Sequence, residues 1–302
     1  MRALVTGGAG FIGSNLVDAL LERDDEVIVV DNLATGKREN VSPAASLHVR
    51  DIRESLDDLF AEVAPEVCFH LAAQADVRIS VERPDYDAEV NVLGTLRVLE
   101  GARKSGSRVV FSSSGGAIYG ECEQPALESD ERRPLAPYGA SKLAGEEYLL
   151  TYNRLHGMDN VALRFGNVYG PRQDPHGEAG VVAIFFGLLK EEKRCRIFGD
   201  GRQQRDYVYV GDVVRALTAA PGATGGVFNV GTGRATSVLE LYALCREIAG
   251  SDALPAHEPE RAGELARSVL DPAKAGRELG WHAEIDLKDG LRATWQSIVE
   301  TL

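Results

Sequence analysis

The first half of the chain alternates short runs of β-branched residues with longer stretches in which apolar residues recur at helical spacing. The runs RALVTGG and DEVIVVDN bracket a predicted helix from about Phe11 to Arg23, and EVCFHLAA and SRVVFSSS bracket another from about Asp85 to Lys104. A further strand-like run, NVALRFGN, follows the helical stretch that begins at PYGASK. Strands separated by helices of this length form βαβ units, so the pattern predicts a parallel sheet covered by helices on both faces.

The pattern changes after Asn167, where the loop-rich segment VYGPRQDPHGEAG gives way to mixed helix and strand pieces that run to Leu302. We therefore expect an α/β protein with two parts. A nucleotide-binding domain with a doubly wound parallel sheet covers residues 1–166, and a smaller carboxyl-terminal α/β lobe covers residues 167–302. The stretch RDYVYVGDVVRAL, at about residues 206–220, predicts one more strand and helix that belong to the sheet of the first domain.

Composition and charge narrow the class of protein. Hydrophobic residues make up 44% of the 302 residues and charged residues 26%, which is typical of a globular protein in water. The formal net charge of -13 argues against a nucleic-acid partner or an anionic membrane surface, because both attract basic proteins. The first residues, MRALVTGG, enter a strand at once and leave no room for a signal peptide, and no apolar run is long enough to span a bilayer. We therefore expect a cytoplasmic protein.

The cysteines agree with that location. Cys68, Cys122, Cys195 and Cys245 are scattered and form no C-x-x-C pair. This spacing argues against a metal site and against a disulfide framework, and it is typical of a protein in a reducing cytosol. We expect no metal.

The first strand-to-helix turn carries a cluster of glycines. The segment VTGGAGFIGSNLV contains Gly8-x-Gly10-x-x-Gly13 and also the wider pattern Gly7-x-x-Gly10-x-x-Gly13. Glycines at such positions permit a tight turn, let a pyrophosphate approach the backbone and allow close packing of the helix on the strand. The amino terminus of the following helix offers N–H donors to the same anion. The segment therefore predicts a dinucleotide site of the Rossmann type.

Asp31 predicts which dinucleotide binds. It ends the second strand, 18 residues beyond Gly13, where a carboxylate accepts hydrogen bonds from a ribose 2′-hydroxyl. The same carboxylate would repel a 2′-phosphate, so NAD is favoured over NADP. Lys37 and Arg38 lie close by in sequence and keep NADP open as an alternative.

A tyrosine and a lysine stand four residues apart in PYGASK. Positions i and i+4 share a helix face, with Cβ atoms about 5–6 Å apart, so Tyr138 and Lys142 would lie side by side. An ammonium group beside a phenol favours the phenolate. Ser114, in the run VVFSSSGGAIYG, precedes Tyr138 by 24 residues and falls at the carboxyl edge of the sheet, where open α/β sheets bind ligands. An isolated Tyr-x-x-x-Lys usually belongs to a plain surface helix, but this one accompanies a serine and a dinucleotide site.

Ser, Tyr and Lys in this order, behind an amino-terminal glycine turn, resemble the short-chain dehydrogenase/reductase superfamily. The segments VTGGAGFIGS, DNLATGKREN, FHLAAQADV, LRFGNVYGPRQ and RDYVYVGDV are similar to its extended branch, which acts on nucleotide-sugars. Within that branch, SSGGAIYGE and PRQDPHGEAGVVAIF resemble the UDP-glucose 4-epimerases, in particular their shorter prokaryotic members. The resemblance implies NAD as the cofactor, a UDP-sugar as the substrate, and a UDP-sugar-binding role for the carboxyl-terminal lobe.

The resemblance also implies which residues contact the cofactor. Those assigned to the pyrophosphate are Gly7, Gly10, Phe11, Ile12 and Gly13. Those assigned to the adenosine end are Asp31 and Asn32 at the ribose, Lys37 nearby, and Asp51 and Ile52 at the adenine. Those that would line the cofactor cleft are Leu71, Ala72, Ala73 and Gln74.

The catalytic roles follow from the resemblance in the same way. Tyr138 would be the acid/base, Lys142 would bind the nicotinamide ribose and lower the pKa of Tyr138, and Ser114 would bond the reacting sugar oxygen. Ser112 and Ser113 leave the choice of hydroxyl open, because an extra glycine in SSSGGAIYG departs from the commonest epimerase pattern.

In the second lobe, the resemblance assigns Asn167, Arg205 and Arg261 to the UDP diphosphate. Arginines suit that task in an otherwise acidic protein, because a guanidinium group binds phosphate oxygens in bidentate fashion. Glu264 is assigned to the uridine ribose.

The predicted reaction is 4-epimerisation through a 4-keto sugar, with UDP-glucose and UDP-galactose as the expected pair. Related dehydratases and decarboxylases carry an acid directly after the hydroxyl residue or near it, whereas Ser114 is followed by Gly115, Gly116 and Ala117. Relatives that act only as redox sensors or RNA-binding modules typically lose the Tyr or the Lys, and this chain keeps both.

The sugar itself stays open. Ser268 occupies a position where a bulky residue in some family members excludes N-acetyl groups, so UDP-N-acetylglucosamine is an alternative. Arg172 or His176, in the loop that would edge the sugar pocket, could supply a cation for UDP-glucuronate. Family members usually dimerise through two helices, which here correspond to about residues 85–104 and 138–155, so we expect a homodimer.

Overall fold

The computed structural model describes residues 1–175, 180–260 and 264–300 of the chain. The strands within these ranges are β1 (Arg2–Thr6), β2 (Glu26–Asp31), β3 (Ser46–Val49), β4 (Val67–His70), β5 (Arg108–Ser114), β6 (Val161–Phe165), β7 (Asn167–Tyr169), β8 (Arg196–Phe198), β9 (Gln204–Arg205), β10 (Tyr207–Tyr209), β11 (Gly226–Val230), β12 (Thr236–Ser237), β13 (Ala256–Glu258) and β14 (Arg267–Ser268). The α-helices are α1 (Phe11–Leu21), α2 (Asp57–Val63), α3 (Val77–Glu82), α4 (Pro84–Ala88), α5 (Thr95–Ser105), α6 (Gly115–Ile118), α7 (Pro137–His156), α8 (Val181–Lys190), α9 (Val210–Ala219), α10 (Val238–Ala249), α11 (Ala273–Leu279) and α12 (Leu287–Glu300). Within these ranges, no helix combines the length and the apolar character needed to cross a membrane.

Seven parallel strands form the central sheet, in the spatial order β3-β2-β1-β4-β5-β6-β11. β1 pairs with β2 on one side and with β4 on the other, so that Leu4 stands in register with both Ile28 and Cys68. The direction of strand order reverses between β1 and β4, which leaves a crevice at their carboxyl ends. Sheets of this kind bind ligands at that crevice.

Alternating residues of the strands build a core layer on each face of the sheet. Val5 of β1 packs on one face with Leu16 of α1 and Val213 of α9. Leu4, its neighbour, packs on the other face with residues of α2, α5 and α7, among them Phe60, Leu99 and Leu149. Because both faces are covered, the inner strands consist almost wholly of apolar residues. The predicted doubly wound α/β fold is confirmed.

The helix predicted from Asp85 to Lys104 is divided in the structure. α4 ends at Ala88, residues Glu89–Gly94 form a stretch of π-helix, and α5 begins at Thr95. Asn91 lies in the middle of the π-helical stretch, where its Oδ1 accepts from Gln74 N–H at 2.9 Å and its Nδ2 donates to Gln74 O at 2.8 Å. Stretches of π-helix inside α-helices are frequent at functional sites.

The prediction that Tyr207–Tyr209 joins the central sheet was wrong. This strand, β10, pairs with β7 in a separate two-stranded parallel sheet, and the seventh strand of the central sheet is β11. The chain leaves the central sheet at Gly166, where an added Cβ would lie only 2.8 Å from Asp206 O, so that β7 runs beside β10 and does not extend β6. The following helix, α9, does pack on the central sheet. The domain boundary at residue 166 stays a prediction.

The second half of the chain builds a core of its own. α8, α10 and α12 surround a cluster of aromatic and aliphatic side chains that includes Phe185, Phe186, Leu241, Cys245 and Leu291. Two further small sheets are present, one in which β9 pairs with β12 and β14, and one in which β8 pairs with β13. In the first of these, Ser268 stands in register with Arg205. Two of the residues assigned to the substrate pocket are therefore neighbours on adjacent strands.

Candidate active site

The backbone at the first strand-to-helix turn requires glycine. Gly7 has a φ of +72°, in the left-handed region, and a Cβ added there would lie 2.6 Å from Ala72 N. A Cβ at Gly13 would lie 2.1 Å from Gly7 O, because the first turn of α1 packs directly on the loop. α1 begins at Phe11, and the residue at its N-cap, Gly10, has no side chain that could cap the amino terminus. The first N–H groups of the helix can therefore bind an anion, and this glycine cradle fits the pyrophosphate of a dinucleotide.

Asp31 is held against the glycine cradle at the end of β2. Its carboxylate accepts hydrogen bonds from Ala9 N–H at 3.0 Å and from Leu33 N–H at 2.8 Å, and only 7% of the residue is exposed. Gly36 crosses directly over it, since a Cβ there would lie 2.9 Å from both carboxylate oxygens. The carboxylate therefore stands close to the pyrophosphate turn, at the place where the adenosine ribose of a bound dinucleotide lies.

One of the two cations that kept NADP open has another partner. Lys37 Nζ lies 3.1 Å from Asp174 Oδ2, in the loop after β7. An ammonium group paired with Asp174 is a poor partner for a 2′-phosphate beside Asp31. The geometry therefore favours NAD, and the direct contact of Lys37 with the cofactor stays a prediction.

The residues assigned to the adenine, Asp51 and Ile52, follow β3, and Asn32, which is assigned to the ribose, follows β2. Asn32 Nδ2 donates to Asp51 Oδ2 at 2.9 Å, and the Arg53 guanidinium donates to both oxygens of the same carboxylate. The hydrogen bonds from Arg53 lower the pKa of Asp51 to about 2. Ile52 is buried beneath Gly94, where a Cβ would lie 2.8 Å from Ile52 Cδ1. A cavity of about 310 Å³ adjoins this group and is lined by Asp51, Arg53, Glu54, Glu89, Leu93 and Arg97.

The segment after β4 approaches the glycine cradle from the other side. Leu71 N–H donates to Thr6 O at 3.1 Å, and Ala72 N–H donates to Thr6 Oγ1 at 3.3 Å. Gln74 is buried, and its side-chain amide donates to Asp87 Oδ1 at 2.9 Å. That amide stabilises the loop, so a contact of the Gln74 side chain with the cofactor stays a prediction. The half-buried residues at the crevice are Leu71, Ala72 and Ala73.

Tyr138 and Lys142 stand at the start of α7. The helix begins at Pro137, a residue suited to the first helical position because it has no N–H to satisfy. Lys142 is only 3% exposed; its ammonium group donates to Ser112 O at 2.9 Å and lies 4.9 Å from the centre of the Phe111 ring. Tyr138, one turn earlier, is half-buried. The structure thus places a buried positive charge near a phenol at the carboxyl edge of β5, an arrangement that stabilises a phenolate.

The three serines at the end of β5 differ in their surroundings. Ser112 Oγ donates to His70 O at 3.2 Å, inside the sheet. Ser113 points to the opposite face by strand alternation, and its buried Oγ has no hydrogen-bond partner within the described part of the chain. Ser114 is half-buried at the open end of the strand, and its side chain does not cap the short helix that follows. Ser114 is therefore the hydroxyl that a ligand can reach.

Asp206, which the sequence did not single out, connects Asn167 and Arg205, two of the residues assigned to the diphosphate. Its main-chain oxygen accepts from Asn167 N–H at 2.7 Å, and Arg205 precedes it in the chain. Its buried carboxylate accepts from Thr232 Oγ1 at 2.6 Å and from Leu270 N–H at 3.2 Å. Burial raises the pKa of this carboxyl group. The one sequence signal was an acid within the otherwise apolar run DYVYV, which indicates a buried structural role.

The described residues of the second lobe that are assigned to the substrate lie in two groups. Arg205 Nη2 is 3.5 Å from Glu264 Oε1, and both side chains are mostly buried. Asn167 faces the segment after Ser114, since a Cβ at Gly116 would lie 3.5 Å from Asn167 Oδ1. The structure therefore brings Asn167 to the segment that follows Ser114, and Arg205 to Glu264.

Three expectations concern the loops of the second lobe. Arg261 and His176 lie outside the described residues. Arg172 lies within them, and its guanidinium forms an ion pair with Asp18 of α1. This geometry does not favour Arg172 as a cation for the sugar.

The cysteines and the candidate metal ligands can be described briefly. Cys68, Cys122, Cys195 and Cys245 are all free thiols. In residues 1–175, 180–260 and 264–300, no three His, Cys, Asp or Glu side chains are grouped closely enough to hold a metal ion.

Comparisons with known proteins show the family to which the chain belongs. Residues 3–231 match the model of the NAD dependent epimerase/dehydratase family. A putative UDP-glucose 4-epimerase of Methanocaldococcus jannaschii is 48% identical over 292 residues, which cover 96% of this chain and 95% of the relative. The solved structure of the Thermotoga maritima UDP-glucose 4-epimerase with UDP-glucose has a TM-score of 0.97 and 47% identity, and it covers 100% of this chain and 99% of that one. The Thermus thermophilus UDP-glucose 4-epimerase in complex with NAD has a TM-score of 0.95 and 46% identity, with 100% of both chains covered. The chain belongs to the NAD-dependent epimerase/dehydratase family.

Proposed function

We propose that the protein is an NAD-dependent UDP-glucose 4-epimerase, which interconverts UDP-glucose and UDP-galactose through a 4-keto sugar. The observation that carries this proposal is the position of Lys142. Its buried ammonium group is bonded to Ser112 O at the carboxyl edge of β5, one helical turn from Tyr138 and close to Ser114. The relatives named above, which share almost half of their residues with this chain, support the same activity.

The cofactor site and the catalytic residues have separate roles in the proposed reaction. Gly7, Gly10, Phe11, Ile12 and Gly13 hold the pyrophosphate of NAD, with Asp31 and Asn32 at the adenosine ribose. When bound, NAD supplies reversible hydride acceptance at C4 of the sugar. Tyr138 removes the proton from the 4-hydroxyl and returns it after the keto sugar has rotated in the site. Lys142 stabilises the phenolate and holds the nicotinamide ribose, and Ser114 donates to the sugar O4.

The second lobe holds the UDP moiety in this proposal. Arg205 binds the diphosphate together with Arg261, and Asn167 contacts the diphosphate from the side of Ser114. Glu264, 3.5 Å from Arg205 Nη2, orients that guanidinium and accepts from the uridine ribose. A diphosphate thereby meets fixed donors in a protein whose net charge of -13 would otherwise repel it.

The segment after Ser114 argues against elimination or decarboxylation. Gly115 and Gly116 carry no group that can move a proton. A Cβ at Gly115 would lie 2.5 Å from Leu270 Cδ1, so the space that an acidic side chain would need is filled by a buried leucine.

We therefore expect UDP-glucose to give UDP-galactose and no 4-keto-6-deoxy sugar. The measurement is chromatography of the products after incubation with each UDP-sugar, together with absorbance in alkali, which detects the keto product. Accumulation of that keto product would contradict the argument from Gly115 and Leu270. Conversion of none of the UDP-sugars would contradict the proposed function as a whole.

One observation favours a second substrate. Ser268 is buried and small, and it stands in register with Arg205 at the position where a bulkier residue would narrow the sugar pocket. UDP-N-acetylglucosamine is therefore the second candidate in the same chromatographic assay.

Asp31 should decide the preference between NAD and NADP. We expect Asp31→Ala to weaken NAD binding by about 10–100-fold, because it removes a charged acceptor of the ribose hydroxyls. The affinity for NADP should fall less, so the preference for NAD over NADP should become smaller. Titration calorimetry of the cofactor-free protein measures both affinities.

A control separates Asp31 from its neighbour Lys37. Asp174→Ala removes the partner of Lys37 and leaves Asp31 in place, so its preference for NAD should persist. Tighter binding of NADP than of NAD by the parent protein would show that Asp31 does not select the cofactor.

We also infer a homodimer formed through α5, α7 and the π-helical stretch before α5. Apolar side chains face outward there: Leu93 is 49% exposed, Tyr148 42% and Leu155 70%. Light scattering of the purified protein measures the mass that this inference predicts. The four free cysteines support the cytoplasm as its location.

A further inference from the structure

A fully buried histidine lies beneath the proposed active site. His70 ends β4 and has an exposed fraction of 0%. Its Nδ1 is 2.7 Å from Thr6 Oγ1, at the end of β1, and its Nε2 is 3.0 Å from Thr95 Oγ1, at the start of α5. The imidazole therefore spans from the strand that enters the glycine cradle to the helix on the other side of the crevice.

The hydrogen bonds around this ring determine where its proton lies. Thr95 Oγ1 donates its one proton to Asn91 O at 2.6 Å, so it can only accept from the ring. His70 Nε2 must carry the hydrogen, and Nδ1 must accept from the Thr6 hydroxyl. Thr6 Oγ1 in turn accepts from Ala72 N–H at 3.3 Å. Each hydrogen bond in this series therefore has one fixed direction.

The far end of this series of hydrogen bonds supports the first turn of α7. Asn91 Nδ2 donates to Ser141 Oγ at 3.1 Å, and Ser141 Oγ donates to Tyr138 O at 3.0 Å. The main chain of His70 adds a second connection, since its carbonyl accepts from Ser112 Oγ and Ser112 O accepts from the Lys142 ammonium. Both residues of the proposed acid/base pair are thus connected to His70 through buried hydrogen bonds.

We propose that His70 is a positioning residue of the reaction: its neutral imidazole keeps the glycine cradle and the start of α7 at a fixed separation, so that the cofactor and Tyr138 stay aligned. This inference rests on the proposed function of Tyr138. A misplacement of about 1 Å between reacting groups costs on the order of 10²-fold in rate. Loss of the imidazole bonds should therefore lower kcat and leave the KM for UDP-sugar nearly unchanged, because the second lobe holds the UDP.

Thr95→Val tests the series of hydrogen bonds without altering the histidine. It removes the acceptor of His70 Nε2 and also the bond from the threonine hydroxyl to the carbonyl four residues earlier. Thr294→Val is a matched control, because Thr294 is equally buried and its Oγ1 also donates to the carbonyl four residues earlier, Gly290 O, at 2.7 Å. Both variants should lose similar stability, but only Thr95→Val should lose kcat, by about 10–100-fold.

A readout independent of turnover distinguishes this inference from the proposed function. Amide hydrogen exchange in the first turns of α7 should be at least about tenfold faster in Thr95→Val than in the parent, and unchanged in Thr294→Val. Nitrogen-15 spectra should show His70 protonated at Nε2. A ring protonated at Nδ1, or exchange in α7 that is equal in the two variants, would overturn the inference even if no UDP-sugar reacts.

Two substitutions of the ring provide a second test. Glutamine offers a donor group (its NH₂) and an acceptor group (its carbonyl), as the two nitrogens of the neutral imidazole do, whereas leucine offers neither. His70→Gln should therefore retain more of the parent kcat than His70→Leu. Equal losses in the two variants would mean that the ring only fills space, and where His70→Leu does not fold, the comparison of Thr95→Val with Thr294→Val decides.

The neutral ring also predicts a dependence of stability on pH. The groups that face it are Thr6, Phe111 and Thr95, which are uncharged, and Lys142, the one charged group among them in the described part of the chain. Burial, with a further contribution from Lys142, lowers the pKa of His70 to about 3. In the unfolded chain a histidine titrates near pH 6.5, as a rough average. Acid therefore protonates the unfolded chain first.

The contribution of His70 to stability is fully present above about pH 6.5 and is lost as the pH falls toward 3, by about tenfold in the folding equilibrium constant per pH unit. Urea unfolding of the parent and of His70→Gln from pH 7 to pH 4.5 measures the difference. The parent should lose stability more steeply than the variant. An equal dependence of the unfolding free energy on pH in the two proteins would mean that His70 is not held neutral. It would overturn the assignment of His70 as a ring with a single N–H donor.

Discussion

Replacing Tyr138 with phenylalanine should lower kcat by about 10²–10⁴-fold, the range typical of losing a positioned acid/base. The substitution keeps the ring and removes only the oxygen that carries the proton. The binding of NAD and UDP-sugar should stay near normal, because the proposed function assigns those affinities to the glycine cradle, Asp31 and the arginines of the second lobe. Steady-state kinetics and cofactor titration on the same preparation measure both quantities.

Tyr242→Phe is the matched control for this result. It also removes one phenolic oxygen, which donates to Ala253 O at 2.7 Å, but it does so in the core of the second half of the chain. We expect it to cost some stability and to leave the rate unchanged. If Tyr138→Phe epimerised within a few-fold of the parent, Tyr138 would be a packing residue and the proposed mechanism would fail.

Lys142→Met should damage both binding and turnover. In the proposed mechanism the ammonium group contacts the nicotinamide ribose and stabilises the phenolate, so its removal should weaken NAD binding by about tenfold or more and lower kcat by about 10²-fold or more. Methionine keeps most of the volume of the side chain, which limits the loss of packing. The kcat values and the dissociation constant for NAD are the measurements.

The chain contains a close structural match to Lys142 outside the site. Lys274 Nζ donates to Val227 O at 2.8 Å and lies 4.6 Å from the centre of the Phe228 ring, so Lys274→Met removes the same kinds of contact. That variant should keep both NAD binding and rate. The losses in Tyr138→Phe and Lys142→Met should not add in the double variant, because both residues serve one proton transfer. Full additivity would show that the two residues act independently.

Local patterns in the sequence were sufficient for most of the central sheet. The strands β1, β2, β4, β5 and β6 are apolar runs bounded by glycine, asparagine or polar turns, and each was predicted. β11 (GVFNV) was missed because its partner in the sheet, β6, lies 65 residues earlier in the chain. Tyr207–Tyr209 was placed in the wrong sheet because its neighbours are set by the bend at Gly166, which depends on contact with Asp206.

In the candidate site too, local patterns could be predicted from the sequence and contacts between distant residues could not. The glycine turn and the pair Tyr138 and Lys142 are defined by spacing within a few residues, so the sequence shows them directly. The chain of buried hydrogen bonds is not visible in this way, because His70 meets Thr6 across 64 residues and Asn91 meets Ser141 across 50. Its one sequence signal was a histidine at the end of the apolar run VCFH.

The contact between Gly115 and Leu270 bears on how this protein could diverge. An acid at position 115 would have to displace Leu270, whose buried side chain packs with Ile118 and Tyr119, and overpacking of this kind typically costs about 1–3 kcal/mol. Replacing Leu270 with a smaller residue first would leave a cavity and would lower the stability by about 2–5 kcal/mol. Either order passes through a less stable intermediate, so no single substitution at these positions leads to elimination chemistry without a loss of stability. A lineage that acquired it would need stability in reserve, or a compensating change elsewhere, before the new acid could be tolerated.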